Sequence, residues 1–226
     1  MDDPNSPELA KTRLLLAAMP HVPFDGWSQT ALTSAIGDSG VASGLAHALF
    51  PRGGLDLASA YHQLGDAQML DALGKTDLAT LRFRDRIATA IRLRLQHSDR
   101  ELVRRGTALF SLPQNVPEGS RAIWGTADAI WTALGDTSTD LNWYTKRATL
   151  SAVYASTLLF WLGDDSTDSQ PTWDFLDRRI GNVMSFEAAK ANFRENPLGK
   201  ALLAGPMKIF ERLHAPHGVQ DLPGKL

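Results

Sequence analysis

The sequence predicts an all-α fold of about ten helices, and three observations carry that expectation. Apolar residues recur at spacings of three and four. Alternation of period two never runs long enough to mark a strand. Prolines, glycines and polar caps punctuate the chain at intervals that helices fill. With 226 residues, 43% of them hydrophobic, the chain can bury a substantial core.

The elements follow in order. Leu9 to Met19 reads as a helix ended by Pro20 and Pro23. Ser28 is a natural N-cap for a second helix through Ile36, and Ser43 for a short third one ending before Pro51. Leu55 to Leu73 forms a fourth. Leu78, Leu81, Ala88, Ile91 and Leu95 mark one stripe of a long, arginine-rich helix. A loop from Ser111 to Gly119 carries two prolines. Ile123, Ala127, Ile130, Trp131 and Leu134 then share a helical face, Asp140 to Leu162 is a long helix, and Thr172 begins the next. The final stretch, Phe186 to His214, is broken by Pro197 and Pro206. Three regions result: a helix-turn-helix region at 1–54, a helical region at 55–185 and an amphipathic tail at 186–226.

Composition excludes several classes. With no cysteine there are no disulfides, no thiolate catalysis and no cysteine-ligated metal. A formal net charge of −2 argues against a general polyanion binder. The acidic start, Met-Asp-Asp-Pro-Asn-Ser-Pro-Glu, resembles neither a secretory signal nor a transit peptide, so a bacterial cytoplasmic protein is expected. There is no Gly-x-Ser-x-Gly, no phosphate loop and no His-x-x-x-His pair, and the one Glu-x-x-His (Glu211 to His214) is not the pair of such motifs a di-iron bundle needs, which favours binding over catalysis; no cofactor and no metal are expected. Eight arginines between Arg82 and Arg105 read as a solvated face paired to Asp77, Asp85, Asp99 and Glu101.

One local repeat stands out. Leu-Gly-Asp-Thr-Ser-Thr-Asp (134–140) recurs as Leu-Gly-Asp-Asp-Ser-Thr-Asp (162–168), each time between helices. Such residues cap the free N–H groups of a following helix. A calcium loop needs Gly at its sixth place and Glu at its twelfth. Those places hold Leu141 and Arg147 in one copy, Ser169 and Phe175 in the other.

Residues 28 to 57 resemble the DNA-binding end of TetR-type repressors: two short helices, a Gly-containing turn, Phe-Pro, then a longer helix. Reading DNA requires donors for bases and cations for phosphates. The candidate recognition helix, Ser43 to Phe50, offers only Ser43 and His47. Across residues 1–52, Asp2, Asp3, Glu8, Asp25 and Asp38 outnumber Lys11, Arg13 and Arg52. A degenerate helix-turn-helix without nucleic acid is expected, with a TetR-type regulator as the rival reading.

The stretch from Asp136 to Leu150, Asp-Thr-Ser-Thr-Asp-Leu-Asn-Trp-Tyr-Thr-Lys-Arg-Ala-Thr-Leu, resembles the accessory proteins of ubiquinone biosynthesis, the "coenzyme Q nine" family. So do residues 172–180 (Thr-Trp-Asp-Phe-Leu-Asp-Arg-Arg-Ile), Gly26-Trp27-Ser28 and Phe50-Pro51-Arg52-Gly53. The resemblance implies a TetR-like helical bundle, commonly a homodimer without catalytic activity. It also implies a pocket for an isoprenoid lipid or ubiquinone precursor and a terminal helix that touches the inner face of the membrane. The implied partner is the di-iron hydroxylase that acts on demethoxyubiquinone, docked at Trp143 and Tyr144 with Asp140 and Arg147 beside them.

Residue chemistry bears on these implications. Successive helix positions point about 100° apart, so Trp143 and Tyr144 cannot both face a core squarely. At least one is expected to be partly exposed, as docking aromatics are; the alternative makes Trp143 a core anchor. Farther along, Leu150, Val153, Tyr154, Leu158 and Trp161 form a stripe, and Leu159, Phe160 and Leu162 cover much of the rest. A helix apolar all round is buried, either as a core element or, with Trp131, as the wall of a lipid cavity. In the tail, Leu198, Leu202, Met207, Ile209, Phe210 and Leu213 oppose Lys200, Lys208 and Arg212, the makeup of an interfacial helix. Packing on the protein itself or on a second subunit is the other reading of the tail.

Overall fold

The computed structural model describes the backbone of residues 6–195 and the side chains of residues 6–183. Among them are ten α-helices, one short 3₁₀ turn and no strand, consistent with a TetR-like helical bundle. The tail residues Leu198, Leu202, Met207, Ile209, Phe210 and Leu213 lie outside the described residues. None of the helices searched among the described residues is long and apolar enough to cross a membrane. The chain divides into two compact units, Met1–Thr126 and Ala127–Leu226.

The first unit holds α1 (Pro7–Ala18), α2 (Val22–Asp25), α3 (Gln29–Ser39), α4 (Ser43–Leu49), α5 (Gly54–Gly74), α6 (Phe83–Gln96), α7 (Arg100–Phe110) and the start of α8 (Val116–Ala133). Its core gathers Leu14, Leu15, Val22, Trp27, Leu32, Phe50, Leu57 and Leu102. Trp27 anchors this core: its indole Nε1 donates to the Leu102 carbonyl at 3.0 Å, and its ring lies 5.3 Å from that of Tyr61. Gly54 starts α5 against the Trp27 backbone, where a Cβ would meet the Trp27 carbonyl oxygen at 2.2 Å, so only glycine fits. Ser28 caps α3 as expected, accepting from the Ala31 N–H at 3.2 Å.

Four local readings need correction. Ser43 is the first residue of α4 rather than its cap; Ala42 takes the cap position, and the Ser43 hydroxyl meets His47 Nδ1 one turn on. Leu78 and Leu81 precede α6 instead of lying on it. Asp77 accepts the Ala79 N–H and Leu81 N donates to the Leu78 carbonyl, so the chain turns there before Arg82 enters α6 in extended conformation. The stretch from Ser111 to Gly119 is mostly helical. Pro113 opens the 3₁₀ turn, and Pro117 falls in the first turn of α8, where its missing N–H is no loss. Finally, the arginine run is not wholly a solvated face, because Arg94 is buried and paired with Asp66.

The second unit holds the end of α8, α9 (Leu141–Leu162) and α10 (Gln170–Glu195). Ile130, Leu150, Val153, Tyr154, Leu158, Trp161, Trp173, Leu176 and Ile180 are buried. The expected stripe on α9 is therefore buried, but the helix is not buried all round. Leu159 is 61% exposed and Phe160 38%, the latter stacked on Phe175 at 4.6 Å. Helix α10 starts two residues before Thr172, at Gln170, with Pro171 in its first turn.

Both copies of the repeat fold by the same bonds. Asp136 accepts from the backbone N–H and hydroxyl of Ser138, and Asp164 from those of Ser166. The closing Asp140 and Asp168 accept from the N–H groups of Asn142 and Gln170, at 2.9 and 3.1 Å, at the starts of α9 and α10. This is the capping chemistry read from the sequence. The copies diverge in what their first aspartate holds. Asp164 takes the N–H and hydroxyl of Thr172. Hydrogen bonds from Ser166 and Thr172 outweigh its desolvation and lower its pKa to about 2. Asp136 instead takes two cations from α9.

Candidate docking site

The first two turns of α9 are built on Asp136. Its carboxylate, 2% exposed, accepts from Lys146 Nζ at 2.7 Å and from Arg147 Nη1 at 3.0 Å. Desolvation is the largest single influence and pushes its pKa up. The hydrogen bonds from Lys146, Arg147 and Ser138 together prevail and bring it to about 2. Asp136 is thus ionised throughout the physiological range. Lys146 also donates to Ser138 Oγ, and its ammonium lies 5.1 Å from the Trp131 ring centroid. Trp131 in turn donates from Nε1 to the Lys146 carbonyl at 3.1 Å.

Arg147 is 3% exposed. Its Nε donates to Asp128 Oδ1 and its Nη1 to both Asp136 and the Trp143 carbonyl. The guanidinium carbon lies 4.0 Å from the Trp143 ring centroid, a close cation–π contact. Trp143 meets Tyr144 edge to face, with centroids 4.8 Å apart and planes at 79°. Both rings are half-buried. Each therefore presents part of its surface outward, as the geometry of adjacent helix positions requires. Asp140 is exposed at the head of the same helix; its second carboxylate oxygen accepts from the Asn142 side chain at 2.9 Å.

Of the four residues read as a docking patch, Trp143, Tyr144 and Asp140 present surface and Arg147 does not. Its donors are turned inward to two carboxylates. Sequence reasoning gave Asp128 and Lys146 no role and read Asp136 only as part of a capping repeat that fails the calcium-loop test. The signal for Asp136 lay in the repeat, whose first aspartate precedes the Lys-Arg pair by ten and eleven residues. The residues read as lipid-facing, Leu150, Val153, Tyr154, Leu158 and Trp161, share one buried stripe of α9, and half-buried Trp131 sits at its N-terminal end.

The second unit is thus a helical unit that carries a half-buried aromatic pair on a charged base, and sequence comparison assigns its family. The COQ9 family model matches residues 116–187, a span that includes the repeat, α9 and the start of α10. The rat protein named "Ubiquinone biosynthesis protein COQ9, mitochondrial" is 33% identical over 217 residues, covering 91% of this chain and 68% of its own length. The human protein of the same name is 31% identical over 217 residues, covering 91% and 67%. The fruit-fly protein is 31% identical over 183 residues, covering 78% and 56%. The chain belongs to the COQ9 family of ubiquinone biosynthesis proteins.

Proposed function

We propose that this chain is a non-catalytic, lipid-binding accessory protein of ubiquinone biosynthesis. In this reading a homodimer presents an isoprenoid quinone precursor to the di-iron demethoxyubiquinone hydroxylase, which docks at Trp143 and Tyr144. The observation that carries the reading is the edge-to-face Trp143–Tyr144 pair at the head of α9, half-buried and mounted on an ion-paired base. Rigid, partly exposed aromatics lose little conformational freedom on binding and dominate protein interfaces.

The buried stripe from Leu150 to Trp161 supplies apolar surface for a prenyl tail, which gains about 0.8 kcal/mol for each CH₂ taken out of water. Residues 197–226 supply the contact with the membrane surface, from the cytoplasmic side. Relatives bear mitochondrial names, and a bacterial or a mitochondrial matrix face presents the same anionic headgroups to such a segment.

A pull-down with purified hydroxylase tests the docking. Trp143→Ala is expected to stay folded and to retain roughly a tenth or less of the binding, as interface hot spots do. Retention equal to that of the unaltered protein contradicts the reading. Native mass spectrometry of the purified protein is expected to show a bound isoprenoid. Deleting residues 197–226 is expected to lower co-sedimentation with anionic liposomes, and equal pelleting of both forms removes the tail from the account.

A further inference from the structure

We infer that Arg147, clamped by Asp128 and Asp136, is a positioning residue for the docking pair. It sets the plane in which Trp143 meets a partner and does not touch that partner itself. The inference rests on the docking reading above.

The geometry ties this guanidinium to the protein at three points. Nε is spent on Asp128, Nη1 on Asp136 and the Trp143 carbonyl, and the guanidinium carbon lies over the indole, 4.0 Å from its centroid. Asp136 cannot swing away, because Lys146 and Ser138 hold its other oxygen. The loop behind it is fixed by Gly135, whose φ of +81° suits glycine and few other residues. The support therefore runs from a locked loop, through a buried carboxylate and a planar cation, to the indole. Tyr144 takes its edge-to-face setting from that indole in turn. Without the guanidinium the indole has no charged plate fixing its rotamer, and a partner has to immobilise it on binding.

This assignment separates arginine from lysine. An ammonium keeps the charge facing Asp136 but offers neither the planar face nor the fork that reaches Asp128 and Asp136 together. Arg147→Lys is therefore expected to fold and to bind the hydroxylase roughly three- to tenfold more weakly, the scale of one re-immobilised side chain.

The deciding experiment is a double-mutant cycle, with titration calorimetry of purified hydroxylase into the unaltered protein, Arg147→Lys, Trp143→Ala and the double variant. Near-UV circular dichroism of each variant reads the ordering of the aromatic pair. The expected result is that Arg147→Lys weakens binding and the Trp143–Tyr144 dichroic signal, while adding it to Trp143→Ala weakens binding no further. Strictly additive losses overturn the inference, because Arg147 then acts on the partner or on stability at large rather than through the indole. Wild-type affinity in Arg147→Lys overturns it as well. Wild-type affinity in Trp143→Ala overturns the docking reading on which it rests.

Discussion

Arg94 in the first unit and Arg147 in the second are both buried guanidiniums held by aspartates, yet their networks end differently. Arg94 is sealed into a closed polar network. It donates to Asp66, to Ser98 Oγ and to the His62 carbonyl. Thr126 completes the network, donating to Asp66 at 2.8 Å and meeting His62 Nε2 at 2.8 Å. Its guanidinium lies over Gly65, where a Cβ would stand 2.5 Å from Nη1. Arg147 is as buried as Arg94, but its partners include the 44% exposed Asp128 side chain and the ring of a half-exposed tryptophan. The contrast teaches that burial of a charge does not by itself mark a functional site. What matters is whether the network ends in the interior or on a side chain that reaches the surface.

The comparison can be broken at several points. Arg94→Met leaves Asp66 without its cation in a buried setting and is expected to cost about 3–5 kcal/mol in urea unfolding. The protein that remains folded should bind the hydroxylase unchanged; a binding loss as large as that of Trp143→Ala would make Arg94 part of the docking machinery.

His62 gives the next largest effect. Desolvation and the neighbouring Arg94 charge, partly offset by Asp66, lower its pKa from 6.5 to about 4. A lowered histidine pKa means that the unfolded chain takes up a proton the folded chain refuses. The resulting stability is fully present above pH 6.5 and is lost as pH falls towards 4, by roughly 3 kcal/mol. Unfolding midpoints measured across that window should fall steeply, and should flatten in His62→Gln.

Gly65→Ala is expected to cost about 1–3 kcal/mol, since Arg94 is pinned on three sides and cannot yield to the new methyl. Trp143→Ala stands last. Its ring is half-buried on a helix already capped by Asp140, so the expected loss of stability is about 1 kcal/mol or less.

Much of the fold is legible in the sequence because helix caps and helical periodicity are local. Ser28 and Asp140 cap the helices they precede, and the spacing from Leu150 to Trp161 marks the face of α9 that is buried. The pairings are not local. Nothing in a run of eight arginines says which one meets Asp66, twenty-eight residues earlier. A clue was present, however: Arg94 stands three residues after Ile91, on the apolar side of its helix. Likewise, adjacent helix positions require one of Trp143 and Tyr144 to reach the surface, but the cation beneath the indole depends on Asp128 and Asp136, which α8 and a loop bring in from outside α9.

The central claim is that a partner covers the aromatic pair at the head of α9. Hydroxyl-radical footprinting of Trp143 and Tyr144, with and without the hydroxylase, tests it most directly. The account predicts that saturating hydroxylase protects both rings from oxidation while exposed Phe24 of the first unit keeps its reactivity. Equal oxidation of Trp143 and Tyr144 in the free and bound protein contradicts it.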